Sequence, residues 1–213
     1  MTAPSYAAGR TDLPLLEKTI GEALRDTAAA HADSEALVDV GSGRRWTWAE
    51  LDAAVDDLAR SLLAAGLRQG DRVGIWAPNS ADWTLTQFAT ARIGVVLVTV
   101  NPAYRTSELQ FVLRQSGCRW LVAAPSFKTS DYRAMVAEVR DECPALERVV
   151  FFGDDDWTAL LGGADADLAP REQALAATDP VNLQYTSGTT GFPKGATLSH
   201  RNILNNGYFV GVL

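Results

Sequence analysis

The chain has 213 residues, 47% of them hydrophobic, enough to bury one large core or two small ones. Its 19 basic and 26 acidic residues give a formal net charge of −7, and no Lys/Arg run could track a phosphate backbone, so nucleic acid is not an expected partner. The longest strongly apolar stretch, residues 93–100, contains Gly94 and Thr99 and falls far short of the roughly 20 residues that cross a bilayer.

Residues 1–10 have no basic segment leading into an apolar one, so neither a secretory signal nor a mitochondrial presequence is expected, and the cytoplasm is the default location. Helix starts are marked at Thr19 with Glu22 and at Thr47 with Glu50, where a hydroxyl stands three residues before a carboxylate in the reciprocal capping-box pattern. Between them, residues 35–39 and 45–48 flank a glycine-containing turn at 40–44, which predicts a small antiparallel hairpin. After Thr47, the residues Leu51, Val55, Leu58, Leu62 and Leu63 recur at helical spacing and make one apolar stripe, with Gly66 as the candidate C-cap.

Short apolar runs at 72–77, 95–100, 120–123 and 149–152 read as buried strands. Helical patterns at 81–93, 107–116 and 132–142 alternate with them. This alternation predicts an α/β fold, a mainly parallel sheet flanked by helices. Trp76, Trp83, Trp120 and Trp157 belong to that core or its edge. Cys118 and Cys143 have no metal-ligand spacing and read as reduced thiols. Residues 153–179, rich in Asp, Ala and Gly, predict a connector with one or two short helices and a candidate subdomain boundary. Its acidic run, Asp154 to Asp156, reads as a solvated turn, since three consecutive carboxylates diverge too much to share one metal.

A strand over 181–185 then runs directly into Thr186-Ser187-Gly188-Thr189-Thr190-Gly191-Phe192-Pro193-Lys194-Gly195. Glycines allow tight turning and close backbone approach, the hydroxyls and N–H groups supply small donors, and Lys194 adds a positive charge. Such a loop is suited to anionic oxygens, and phosphate is the natural ligand. A Walker loop needs G-x-x-x-x-G-K-[ST]; here Pro193 precedes the lysine and Gly195 follows it, so a conventional P-loop nucleotidase is not expected. A flexible linker is the plain alternative, but linkers rarely follow a buried strand and lead into another ordered run. His200, beside Ser199 at a helix start, reads as structural packing, and Tyr104 and Arg105 read as residues that order a loop after a strand.

The segment 185–195 resembles the signature loop of the adenylate-forming superfamily of acyl-CoA synthetases, luciferases and peptide-synthetase adenylation domains. Within it, Val100-Asn101-Pro102-Ala103-Tyr104-Arg105-Thr106 with Glu108-Leu109 is similar to medium- and long-chain fatty acyl-CoA ligases. Thr47-Trp48-Ala49-Glu50-Leu51, Gly70-Asp71-Arg72-Val73 and Ser199-His200-Arg201-Asn202 keep the same order, so the resemblance covers residues 12–213.

The resemblance implies an ATP-dependent fatty acid–CoA ligase. A carboxylate attacks the α-phosphorus of ATP, pyrophosphate leaves, and the thiol of CoA then displaces AMP. It implies phosphate contacts from Thr186, Ser187, Gly188, Thr189, Thr190, Gly191 and Lys194, and a Mg2+ ligand in Thr186 that needs a carboxylate partner from elsewhere. The partners implied are a medium- or long-chain fatty acid, ATP and CoA, with a homodimer for the full-length protein. No catalytic residue is assigned within 12–213. Those residues read as an incomplete N-terminal AMP-binding domain lacking the later subdomain, the C-terminal domain, the second magnesium ligand and the ribose-binding aspartate, so the chain is expected to be inactive alone. The ending at 207–213, inside an apolar helical pattern, fits truncation. Two other readings stay open: a non-catalytic module that binds a nucleotide phosphate, and an adenylating enzyme with a different acceptor.

Overall fold

The computed structural model describes residues 13–186 and 193–212. Both capping boxes are formed. Helix α1 (Ile20–Ala30) begins after Thr19, whose hydroxyl accepts the Glu22 N–H at 3.1 Å while the Glu22 carboxylate accepts the Thr19 N–H at 2.7 Å. The same exchange between Thr47 and Glu50 starts helix α2 (Trp48–Ala64), satisfying N–H groups that a helix start leaves unpaired. Between the two helices, β1 (Glu35–Asp39) and β2 (Arg44–Thr47) make the antiparallel hairpin. Leu51, Val55, Leu58 and Leu62 of α2 are buried, while Leu63 is only half-buried. Each such buried aliphatic side chain stabilises by about 1.5–3 kcal/mol.

Then strand and helix alternate as expected: β3 (Arg72–Trp76), α3 (Ala81–Arg92), β4 (Val96–Thr99), α4 (Thr106–Ser116), β5 (Trp120–Ala123). A short hairpin, β6 (Ser126–Phe127) with β7 (Ser130–Asp131), follows β5 and leads into α5 (Tyr132–Val139). The pattern over 132–142 runs past the true helix end, because residues 140–142 tighten into a 3-10 turn. After β8 (Arg148–Phe151) the connector carries two short helices, α6 (Asp155–Leu161) and α7 (Ala169–Gln173). Strand β9 (Pro180–Thr186), β10 (Lys194–Ser199) and α8 (His200–Val212) complete the chain.

One six-stranded sheet has the order β10-β9-β4-β3-β5-β8. Five strands are parallel and β10 is antiparallel to β9 at the edge. Alternation along β5 separates its two faces. Trp120 and Val122 pack with α2, α3 and α6, whereas Leu121 and Ala123 pack with α4 and α5. The sheet is therefore covered on both sides, which explains its nearly continuous apolar strands. Trp76, Trp120 and Trp157 lie in these cores and Trp83 at their edge; Cys118 and Cys143 are buried free thiols. Trp157, Leu160 and Leu168 of the connector share the core of α2. Gly94, at φ +71, leaves room for Leu175, which a Cβ there would meet at 2.5 Å.

Helix α3 shows no clean apolar stripe because it is buried almost all round. Its hydroxyls bond backward: Thr86 to the Asp82 carbonyl at 2.7 Å and Thr90 to the Thr86 carbonyl at 2.8 Å. They need no partner outside the helix. Arg92, at its end, is fully buried and ion-paired with Asp52 and Asp56 of α2 and with Glu172 of α7. Arg25 of α1 pairs with the same three carboxylates from the solvent side. Four helices thus share one charge cluster. Removing Arg92 takes from three partly buried carboxylates their one fully buried partner and leaves them to the more exposed Arg25 and Arg60, so Arg92→Met should lower unfolding free energy by about 3 kcal/mol. Urea denaturation checks this, and a loss under about 1 kcal/mol would show that the cluster is not what holds these helices.

The two chain-distal helices are joined directly. His200 is fully buried, and its Nδ1 accepts the Ile20 N–H at 3.1 Å; Asn205 accepts the Leu16 N–H at 2.7 Å and donates to the Leu16 carbonyl at 3.0 Å. Burial lowers the His200 pKa below its ordinary 6.5, with Asp179 and Glu22 opposing. The unfolded chain takes up a proton near that pH which the folded chain resists, so stability is intact above it and falls as pH drops below it. Thermal melts above about pH 7 and near pH 5.5 should show this loss, reduced in His200→Gln; equal pH dependence in both proteins would rule out His200 as its source.

Candidate functional site

The carboxyl ends of β3, β4 and β9 lie side by side, and a cavity of about 290 Å³ opens there between Ala77, Asn79, Trp83, Thr99, Val100, Asn101, Pro102, Gln184 and Tyr185. After β4 the chain turns back across β3 toward β5, whereas after β9 it turns the other way into β10. Connections that diverge in this manner leave a crevice above an open α/β sheet, the usual place for a ligand. Its side chains are amides, aromatics, hydroxyls and small apolar groups, without a formal charge.

The floor of one wall is fixed from beneath. Trp76 and Tyr132 stack with centroids 3.5 Å apart and planes 9° from parallel. Their polar tips hold consecutive carbonyls of the loop after β4: Trp76 Nε1 donates to Asn101 at 3.1 Å and the Tyr132 hydroxyl to Pro102 at 2.6 Å. Burial pushes the Tyr132 phenol up to about 12, so it stays a neutral donor. Asn101 Oδ1 accepts the Ala103 N–H at 2.9 Å, closing an Asx turn. The loop-ordering role expected for Arg105 has a partner: Nη1 donates to Ser130 Oγ at 2.7 Å. Tyr104 packs partly into the α4–α5 core.

Thr186 ends β9 and Lys194 begins β10, and the two are register partners. Thr186 Oγ1 donates to the Lys194 carbonyl at 3.4 Å, and both residues are exposed. Lys194 has no carboxylate within 4 Å among the described residues. Tyr185 supports the neck of this hairpin: its hydroxyl donates to Gln115 Oε1 of α4 at 2.9 Å, and its ring lies where a Cβ on Gly195 would come to 3.2 Å. A larger residue there would press on the ring unless Tyr185 shifted by a few tenths of an ångström. Ser187, Gly188, Thr189, Thr190 and Gly191 lie outside the described residues.

Among the described residues no cluster of three or more His, Cys, Asp or Glu is arranged for a metal ion. Thr186 stands at the hairpin neck with one hydroxyl, and a carboxylate partner for a cation would come from elsewhere. His200 is turned toward α1, in agreement with its structural reading. Asp154 to Asp156 do not form a free turn. They open α6, with Asp154 paired to Arg133 at 2.6 Å and Asp156 to Arg148 at 3.4 Å. Sequence reasoning missed Asn79 and Gln184 of the cavity and the Trp76–Tyr132 support. The available signal was the placement of Asn79 and Asn101 just past strands read as parallel neighbours, where ligand-facing residues gather.

The model of the AMP-binding enzyme family matches residues 24–212. The mitochondrial medium-chain acyl-CoA ligase ACSF2 of Mus musculus is 43% identical over 97% of this chain, and that of Homo sapiens 41% over 97%; the chain spans 37% of each relative's length. Among solved structures, the N-terminal domain of FACL13 from Mycobacterium tuberculosis matches at TM-score 0.72 and 27% identity, over 86% of this chain and 44% of that one. A long-chain-fatty-acid-CoA ligase from Archaeoglobus fulgidus shares the fold at TM-score 0.82 and 22% identity, over 98% of this chain and 42% of that one. No helix among the described residues is long and apolar enough to cross a membrane. With a family match over most of its length and relatives above 40% identity, the chain belongs to the AMP-binding enzymes, the adenylate-forming superfamily.

Proposed function

We propose that this chain is the phosphate-gripping part of an ATP-dependent fatty acid–CoA ligase acting on medium- or long-chain acids. The observation that carries the reading is the β9–β10 hairpin: Thr186 and Lys194 pair across its neck near the carboxyl ends of the parallel strands, Lys194 has no carboxylate within 4 Å among the described residues, and the sequence between them is rich in glycine and hydroxyls. Family membership and the names of the relatives support the substrate class. In this reading the acid's carboxylate oxygen bonds to the α-phosphorus, the bond to pyrophosphate breaks, and Thr186, Ser187, Gly188, Thr189, Thr190, Gly191 and Lys194 orient the phosphates and balance their charge. The CoA thiol then forms the thioester bond as AMP leaves. Mg2+ belongs to this proposal with Thr186 as one ligand; it would supply positive charge to the phosphates.

Because the chain spans 37% of its curated relatives, the complete ligase is proposed to be longer, with residues 12–213 as part of its N-terminal domain, a subdomain boundary near 153–179 and the catalytic residues outside them. A homodimer and a cytoplasmic location complete the reading; the mitochondrial names of the mammalian relatives make cell fractionation a direct check. A nucleotide-phosphate-binding module without chemistry is the competing reading, supported by the glycine- and hydroxyl-rich loop alone, whose residue types suit a phosphate whether or not a reaction follows.

Fatty-acid-dependent ATP–pyrophosphate exchange by the whole ligase tests the function. Lys194→Ala and Thr190→Ala should each lower its rate about 10- to 100-fold, with little change in melting temperature for Lys194→Ala, since Lys194 is exposed. Unchanged exchange in both variants would remove them from the site. Exchange by the 213-residue chain alone would show that no residue beyond it is needed for adenylation.

A further inference from the structure

Helix α4 and the β9–β10 hairpin are far apart in sequence, yet one side chain joins them. Tyr185, near the end of β9, is buried, and its hydroxyl donates to Gln115 Oε1 at 2.9 Å. Burial first, then the nearby ionisable Cys118 and Tyr104, raise this phenol above its ordinary value, with Ser116 opposing, so it stays a donor at neutral pH. Gln115 lies in the last turn of α4, and that turn is itself clamped. Arg72, at the start of β3, donates from Nε to the Ser116 carbonyl and from Nη2 to the Gly117 carbonyl, both at 2.8 Å. A helix end leaves such carbonyls unpaired. Gly117 caps α4 at φ +61, where a Cβ would meet Arg72 Nη2 at 2.7 Å. The acceptor of the Tyr185 bond is therefore fixed to an inner strand of the sheet.

The Tyr185 ring also bears on β10. Gly195 is its register partner, and the three atoms that a Cβ on Gly195 would meet, at 3.2, 3.5 and 3.5 Å, all belong to that ring. Strand β10 needs such support: at the edge of the sheet it pairs with β9 alone among the described strands, and Lys194 to Thr197 are exposed. Thr186 and Lys194 stand one step further along the same ladder. Without the bond to Gln115 the ring keeps its packing in the α4–α5 core but loses the hydrogen bond that fixes its tip. A tilt of the ring then displaces the backbone from which the Lys194 side chain starts.

We propose that Gln115 and Tyr185 are positioning residues for adenylation: acting through Gly195, they hold the start of β10 where Lys194 meets the phosphates. This rests on the ligase reading, in which Lys194 contacts ATP. Gln115 does not line the cavity at the strand ends, so its path to the phosphates runs through Tyr185 and β10. Misplacing a contacting group by about 1 Å can cost about 100-fold in rate while the fold persists.

The whole ligase with Gln115→Leu, Gln115→Glu, Tyr185→Phe and the Gln115→Leu/Tyr185→Phe pair, each with and without Lys194→Ala, tests this by fatty-acid-dependent ATP–pyrophosphate exchange. The expected result is a kcat lowered about tenfold by Gln115→Leu and by Tyr185→Phe, with no further fall in the pair and KM for ATP within about twofold. Gln115→Glu, whose carboxylate still accepts the phenol's hydrogen bond, should stay within about threefold of the unsubstituted enzyme. Beside Lys194→Ala, Gln115→Leu should cost less than about twofold, because the group it positions is gone. A general weakening of the fold would instead lower exchange by the same factor whether Lys194 is present or replaced. That result overturns the positioning role, as does unchanged exchange in Gln115→Leu, and both leave the ligase reading intact. Absence of exchange in the unsubstituted ligase overturns the ligase reading and the positioning role with it.

Discussion

The parallel pairing of β9 with β4 governs where everything at the carboxyl edge comes to lie. It rests on three residue pairs, Leu97 with Asn182, Val98 with Leu183 and Thr99 with Gln184, and it is made by a strand that arrives from the opposite edge of the sheet, after β8. A one-residue slip would turn each side chain of β9 to the other face. Val181 would leave the cluster it shares with Ile20 and Ala91, and Tyr185 would lose its place against α4. The hairpin neck formed by Thr186 and Lys194 would move with it. Burial of Val181 beside Ile20 and Ala91 and of Tyr185 against α4 is thus what fixes the height at which β9 ends.

Holding β9 in that register requires the connector and both chain-distal helices to be anchored, and, Leu175 apart, the anchors are polar. Arg92 draws α2, α3 and α7 together, His200 and Asn205 tie α8 to the segment around α1, and Leu175 fills the space left by Gly94 beside the start of β4. Apolar packing alone is non-directional. Ion pairs and hydrogen bonds between helices distant in sequence fix which neighbour goes where, at the cost of burying charge that must stay paired.

Local physics made much of the fold legible from residues alone. Capping boxes, the α2 stripe and short apolar runs located most helices and strands to within a few residues, because each signal lies inside a window of one element. Strand order did not follow, since a buried parallel strand exposes no face that names its neighbour. Strand β10 was hidden for a related reason: Lys194-Gly195-Ala196-Thr197 is mostly exposed at an edge, so it lacks the apolar pattern, and its partner β9 supplies the hydrogen bonds that make it a strand. The family was legible because glycine, hydroxyls and lysine are concentrated in ten residues. The cavity was not, because Asn79, Asn101 and Gln184 come from three separated strand ends and meet only when the sheet is assembled.

That assembly separates two kinds of environment at one edge. The cavity between β3, β4 and β9 has neutral walls supported by a buried aromatic stack, whereas Lys194, with no carboxylate within 4 Å among the described residues, stands exposed at the start of β10. A neutral, half-dry cavity favours an uncharged group or a reacting centre whose developing charge the protein must control, since charge buried there would lack a partner. Phosphates, already ionised and costly to desolvate, are better met at an accessible rim by side chains that keep part of their hydration. The rigid elements therefore supply position and the rim supplies charge, a division that follows from where a parallel sheet ends its strands.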